Sequence, residues 1–519
     1  MADAEAVSSV EDLYKNFGVL ADAKEKAGEF PNAYEAIIKG SRGGAAEKKL
    51  ASGFITRFYR FFPALSESAM DAMLDLIEDE DPQIRRQAIK TLPDICKGSK
   101  DSFLATRVSD ILTQLLLSED AVDLDLVKSA MATILQMDTQ GGLAGVFSQI
   151  AGEEEGVRGK AIEYVSTSLM NMRHKLFLPH VENEKYLLQQ IKKVLSDVTS
   201  EEFEAFVEVL SKLQYISTPE GSQEAVDTIG EQAQLTSDFN PSDGEAVDRF
   251  ITCFTHALKF CKRGGSAAPF LEYMCSRILP AFSNIPDQQT RQRLVRLLAE
   301  GSMFCTEKEC VDKCIQPMFD FLVEYAPHAP TEDSAPPPKL FFSVVEGTLF
   351  ALHQFLQKKT EFLAAPESEE RLKDFRQRLQ YLARRTQTYN TQLQGALQKT
   401  GVVDMKTEQN KLRAAAVKTT ANISLLIKDF FHNPPVYKTS IQLSWGAKKP
   451  DEAPVRKRLS TEGAMPPVAK KKPTPISFDL PTDSTASKRQ SRAVYQPPKN
   501  TYSKNIEAPA DSGEGPVGL

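Results

Sequence analysis

The sequence predicts an all-α fold, an elongated helical-repeat solenoid followed by a disordered tail. Three observations lead there. Apolar residues recur at helical spacing through residues 1–445. An acidic turn followed by an apolar–basic pair returns at intervals of about 30 to 43 residues, the period of stacked helix pairs. The composition then changes: residues 446–519 hold 13 Lys+Arg against 8 Asp+Glu, and 11 of the 30 prolines. Of the net charge of −7, this tail contributes +5 and residues 1–445 contribute −12. Net charge, many prolines and little apolar periodicity together favour an unfolded segment.

Residues 1–200 read as HEAT-like repeats of short amphipathic helices. In Leu74–Leu92 one apolar helix ends in the acidic turn Glu78-Asp79-Glu80-Asp81, and a second opens at Pro82. Proline suits a first-turn position, where its missing N–H costs nothing. Ile84, Ala88, Ile89 and Leu92 then fall on one face. The pattern recurs at Lys48-Lys49, at Val127-Lys128, which is expected to open a helix, and at Val157-Arg158. Its Asp and Arg residues are expected to ladder between adjacent repeats. Residues 201–445 stay helical without the repeat mark. Ser200 is expected to cap a helix carrying the stripe Phe203, Phe206, Val207 and Leu210, and Ser242 with Glu245 reads as a capping box. Further helices are expected over 270–279, 291–304, 310–325 and 340–356, with a proline-rich loop at 326–338.

The long helix expected over 369–397 carries Leu372, Leu379 and Leu393 at seven-residue steps, but Thr386 breaks the row. A working coiled coil needs apolar residues in both rows over several heptads, so a buried bundle helix is the better reading. Its bases include Arg376, Arg378, Arg384 and Arg385, candidates for docking an acidic partner or for a solvated face. Glu78, Asp79 and Glu80 are the corresponding candidates for a basic partner. A last helix over 408–431 leads into Pro434-Pro435 and an extended segment, where the sole tryptophan, Trp445, is expected to pin the chain against the final helices.

No catalytic constellation is present: no phosphate-binding glycine loop, HExxH, GxSxG or paired CxxC. Cys305, Cys310 and Cys314 lie close, but no histidine or fourth ligand accompanies them, which favours structural thiols. The sequence therefore reads as non-enzymatic, without cofactor, metal or small-molecule substrate. It has no membrane-length apolar run and no N-terminal signal pattern. An acidic body argues against nucleic acid as its main ligand. In the tail, Arg456-Lys457-Arg458 and Lys470-Lys471-Lys472 are separated by 11 residues, the pattern of a bipartite import signal recognised by an import receptor. A nuclear protein with a cytoplasmic pool is expected.

Several blocks together resemble the apoptosis inhibitor 5 family, also called antiapoptosis clone 11. They are Val10–Ala23, Asp110–Leu116, Phe239–Asp243, Lys373–Tyr381, and the run from Leu426 through Pro434-Pro435 to Leu443-Ser444-Trp445. The resemblance implies a helical scaffold, HEAT-like then armadillo-like, that binds proteins in the nucleus and suppresses programmed cell death. The partners it implies are an acinus-like apoptotic factor, DEAD-box RNA helicases and, in animals, a fibroblast growth factor. The family's leucine zipper would map to Leu372, Leu379 and Leu393. The alternative is an mRNA processing or export adaptor that binds a helicase, with the tail touching RNA through Lys470–Lys472, Lys488-Arg489 and Arg492 beside Tyr495 and Tyr502.

Overall fold

The computed structural model describes residues 9–98, 102–330, 338–398 and 408–446. Residues Met1–Ala447 form one compact unit. The import-signal residues at 456–458 and 470–472 lie outside the described residues, as does the core of the proline-rich loop at 331–337.

Among the described residues all regular structure is helical. The first eleven helices are α1 (Val10–Ala23), α2 (Pro31–Lys39), α3 (Ala45–Phe58), α4 (Ser66–Ile77), α5 (Pro82–Thr91), α6 (Ser102–Gln114), α7 (Ala121–Met137), α8 (Thr139–Ile150), α9 (Glu155–Tyr164), α10 (Arg173–Leu176) and α11 (Val181–Val194). There follow α12 (Ser200–Ser211), α13 (Pro219–Gln232), α14 (Gly244–Cys261), α15 (Ala268–Tyr273), α16 (Gln288–Ser302), α17 (Lys308–Tyr325), α18 (Phe342–Lys358), α19 (Glu361–Ala364), α20 (Glu369–Gln398) and α21 (Glu408–Phe430). Single π-helical turns continue α9 (Val165–Leu169) and α15 (Met274–Ile278).

Packing is close to one-dimensional. α3 packs on α5 and α5 on α7, α14 on α16 and α16 on α18, so the principal partner of most helices is one or two steps along the chain. One apolar cluster runs unbroken from Leu13 to Leu443, including the stripes expected on α5 and α12. This is the arrangement of stacked helical repeats, in which no pair buries its apolar face alone. α18 is buried all round, as a helix apolar on every side must be, and α21 returns to pack against it.

The helix starts correct several expectations. Thr199, not Ser200, caps α12, because only that frame puts Glu202 three residues on, where its carboxylate returns a bond to the Thr199 N–H. Asp243, not Ser242, caps α14, placing a carboxylate at the positive end of the helix. Val127-Lys128 lies in the middle of α7, which already begins at Ala121 behind the cap Asp120. Pro82 does occupy the first turn of α5, with Asp81 capping the Gln83 N–H at 2.8 Å.

α6 and α8 approach at backbone distance because α8 presents Gly141 and Gly145 to its neighbour. A Cβ at Gly145 would collide with the Thr106 carbonyl and the Asp110 amide nitrogen, neither of which can swing away. Gly145→Ala should therefore destabilise the unit by about 2 kcal/mol through overpacking. A urea midpoint unchanged from wild type would refute that close approach.

Candidate partner-binding surfaces

The expected ladder is present along the N-terminal half. On α3, Lys48 Nζ reaches Asp79 Oδ2 at 2.6 Å and Lys49 Nζ reaches Gln83 Oε1 at 2.5 Å. On α5, Arg85 Nε and Arg86 Nε donate to the two carboxylate oxygens of Asp123 at 2.7 and 2.6 Å, and Arg86 Nη2 donates to Asp120 at 2.9 Å. On α9, Arg158 Nε donates to Glu202 Oε1 at 2.9 Å while its Nη1 binds the Ile150 carbonyl. Each rung joins residues 31–44 apart, one repeat to the next. The Arg158 guanidinium holds the Glu202 carboxyl below the usual carboxylate range.

This ladder divides the acidic turn. Asp79 is committed inside it: its side chain accepts from Lys48 and from the Asp81 N–H, and its carbonyl accepts from Arg85. Hydrogen bonds from Lys48 and Asp81 lower its pKa. Glu78 and Glu80 point to solvent on either side.

The basic row on α20 divides in the same way. Arg376 donates to the carbonyls of Phe430 (2.8 Å) and His432 (2.6 Å), satisfying the C-terminal end of α21. Arg378 donates to Asp374 and to the Ala326 carbonyl. Arg384 and Arg385 lie on the exposed side. Leu372, Leu379 and Leu393 are buried within the chain's own fold, where α20 packs along α21. Thr386 is fully buried between them, its hydroxyl donating to the Leu382 carbonyl at 2.7 Å. The row is thus internal packing.

Beyond α21 the chain returns as a strap over 434–446, held by three carboxyl groups. Asp429 accepts from the amides of Lys438 and Thr439 at 3.0 and 2.9 Å and from the Thr439 hydroxyl at 2.7 Å. Glu346 on α18, fully buried, accepts from Asn422 Nδ2 (2.7 Å), Ser444 N (2.9 Å) and Ser444 Oγ (2.6 Å). Trp445 donates to Glu300 Oε1 at 3.0 Å, under the Arg296 guanidinium. The tryptophan does pin the chain, but against α16 and α18 rather than the last two helices. Sequence reasoning missed Glu346, His353 and Asp429. The available signal was a Glu and a His inside the mainly apolar run 344–356, where a polar group must find a buried partner.

His353 Nε2 lies 2.9 Å from Asp429 Oδ2, and the histidine is fully buried. Burial lowers its pKa against the opposing pull of Asp429. Burial would raise the Asp429 carboxyl, but bonds from His353 and Thr439 outweigh it and hold the group below its ordinary value. Both shifts have the same sign for stability. As pH falls below the unfolded histidine value of 6.5, the unfolded chain takes up a proton that folded His353 refuses. Stability is complete above that pH and falls by up to about 1.4 kcal/mol per pH unit until the folded pKa is reached. Asp429 adds a second loss only once pH falls below its ordinary 3.8. The urea midpoint read by Trp445 fluorescence should drop between pH 7.5 and 5.5, and His353→Gln should flatten that dependence. An equal slope in the variant would remove His353 as the cause.

All seven cysteines are free and buried. Burial pushes the Cys96, Cys253 and Cys261 thiols up to about 12. Cys310 and Cys314 sulfurs lie 3.9 Å apart, and no cluster able to hold a metal occurs among the described residues. No described helix is long and apolar enough to cross a membrane.

Stacked helix pairs, one continuous core and an ion-pair ladder from repeat to repeat define a helical-repeat protein of the HEAT and armadillo type. Comparison with known proteins narrows the class. The family model for Apoptosis inhibitory protein 5 matches residues 10–518, and the chain belongs to that family. It is 42% identical over 510 residues to Apoptosis inhibitor 5 of Gallus gallus, covering 96% of this chain and 94% of the relative. Identity to the Homo sapiens protein of that name is 41%, with the same coverage. The Drosophila melanogaster homolog is 35% identical over 513 residues, covering 96% of this chain and 94% of its own.

Proposed function

We propose that this protein is a non-catalytic nuclear scaffold that restrains programmed cell death by docking partner proteins along its stacked helices. Membership of the apoptosis inhibitory protein 5 family supports the process. The ladder supports the mechanism. It uses Lys48, Asp79, Arg85, Arg86, Asp123, Arg158 and Glu202 to hold neighbouring repeats in register and leaves Glu78 and Glu80 facing outward; on α20, Arg384 and Arg385 face outward as well. Charged, solvent-facing turns and helix faces suit helical or unfolded partner segments. The basic clusters at Arg456–Arg458 and Lys470–Lys472 support the nuclear address.

The test is affinity capture from nuclear extract with residues 1–447, the compact unit, beside the full-length chain. A death-pathway factor retained by the unit alone supports docking on the helices. Partners that appear only with full-length bait and vanish after ribonuclease would overturn it in favour of an RNA-linked tail. An import receptor should accompany full-length bait only.

Charge reversal sharpens the surface. Glu78→Lys with Glu80→Lys should weaken a basic partner several-fold at low salt while leaving the melting temperature unchanged. Asp79→Lys should instead lower the melting temperature, since it breaks the Lys48 rung. Unaltered affinity of the double variant at low ionic strength would remove this turn from the binding surface.

A further inference from the structure

The pairing of bases with acids that runs through the N-terminal half stops at the last two helices. α20 carries six bases and α21 four, yet among the described residues only Arg378 meets a carboxylate, that of Asp374. Arg376 donates to carbonyls, Arg413 to the Asn410 side-chain oxygen and Lys418 to that of Gln442. Arg371 lies over the Phe319 and Phe362 rings. Lys373, Arg384, Arg385, Lys411 and Lys428 are exposed and enter no ion pair among the described residues. These contacts bring no anion, so the positive charge stands. The remaining acids do little to offset it. Asp429 is buried beneath the strap, and Glu369, Glu370 and Glu408 occupy first turns, where the helix N-terminus favours them.

On α21 this charge has an arrangement. Ile423, Leu426, Ile427 and Phe430 turn inward, while Lys411, Ala414, Lys418, Ala421, Leu425 and Lys428 line the opposite face. Lys418 is half-buried and the other five are exposed. They follow one another at steps of three, four, three, four and three residues. That is the spacing of the seam along which one helix packs against another. At 1.5 Å per residue the seam runs for about 25 Å. Its alanines let a second backbone come close, and Leu425, 43% exposed, offers an apolar contact.

Charge and side-chain type select the occupant. A second copy packed seam to seam would bring three lysines from each chain together, and like charges juxtaposed at an interface oppose association. A single-stranded nucleic acid would match the charge but binds through aromatic rings that stack its bases. The seam positions of α21 hold none, and Tyr389 on α20 already stacks on Phe342 at 5.0 Å. Aliphatic residues alternating with lysines suit the apolar edge and flanking carboxylates of a helix.

We propose that the outer face of α21 docks an acidic amphipathic helix of a partner protein. Aliphatic side chains of that helix fill the spaces over Ala414 and Ala421, and its carboxylates meet Lys411, Lys418 and Lys428. The proposal rests on the scaffold reading and names the chemistry of one partner.

The probe is a synthetic helix of about five turns, with Ala and Leu along one edge and Glu flanking them. The same helix with Lys in place of Glu, and an oligouridylate, are run beside it. Binding to the full-length chain is followed through the methyl NMR signals of Ala414, Ala421 and Leu425. The acidic helix should shift them saturably, with a Kd on the order of 10 µM, and the basic helix should not. Lys411→Gln with Lys418→Gln and Lys428→Gln should weaken the acidic helix at least roughly tenfold. Ala421→Phe, which obstructs close approach without changing charge, should weaken it about fivefold. Lys15→Gln with Lys193→Gln and Lys262→Gln, exposed lysines elsewhere, should change nothing. Absence of saturation, or equal binding by the triple α21 variant, would leave the seam a solvated face. Tighter binding of oligouridylate at these methyls would overturn the protein assignment, as would a dimer in sedimentation that the triple variant abolishes. Retention by the triple variant of every partner that wild type captures from nuclear extract would refute docking here while the scaffold reading stands. Failure of the scaffold reading looks different: neither chain would capture a protein partner, although the acidic helix still bound.

Discussion

Glu346→Ala should release the strap and destabilise the compact unit by about 3–4 kcal/mol, the largest effect expected of any single change in the C-terminal half. The carboxyl is fully buried on α18 and receives three hydrogen bonds, two of them from Ser444. Truncation leaves the Ser444 amide and hydroxyl without an acceptor, at about 1–3 kcal/mol for each buried unsatisfied donor. Asn422 loses less, because its Nδ2 also binds the Gln442 carbonyl at 2.9 Å. Trp445 follows Ser444 directly and is the chain's only tryptophan, so its emission reports the strap alone. The variant should show a red-shifted spectrum before any loss of helix by circular dichroism. Glu346→Gln should behave almost as wild type. Its carbonyl can replace Oε1, which takes two of the three bonds, and its amide can donate to the Ser444 hydroxyl oxygen. If Ala and Gln were equally damaging, the hydrogen-bonding account would fail.

Asp123→Ala should cost about 3 kcal/mol, and here Asn should not rescue. Asp123 is 2% exposed and gives one oxygen to Arg85 Nε and the other to Arg86 Nε. Any amide at this position turns an N–H₂ toward one guanidinium. Losing the shared anion leaves two half-buried cations side by side. Their partial exposure and the remaining Arg86–Asp120 pair hold the loss near the lower end of what breaking a buried ion pair costs. Hydrogen exchange should speed up in α5 and α7 first, since the rung joins those helices. Uniform acceleration across all helices would mean that the ladder is not local.

Much of this was legible before any coordinates. The stripes Ile84–Ala88–Ile89 and Phe203–Phe206–Val207–Leu210 imply buried helix faces because 3.6-residue periodicity needs only local sequence. The repeat of acidic turn and base implied the ladder, since a period near one helix pair places equivalent residues side by side. Thr386 within the leucine row correctly argued for a bundle helix. Caps were displaced by one residue at Thr199 and Asp243, where adjacent polar residues compete for the same amide and small geometric differences choose between them.

The sequence alone therefore determined the helical class, the repeat and the family resemblance, all of which rest on short-range patterns. Tertiary structure decided which charges are available. It committed Asp79, Arg376 and Arg378 to internal bonds and brought Glu346 beside Ser444 across 98 residues. A charge in sequence carries no mark of its partner. Only packing brings distant groups within hydrogen-bonding reach and excludes the water that would otherwise satisfy them.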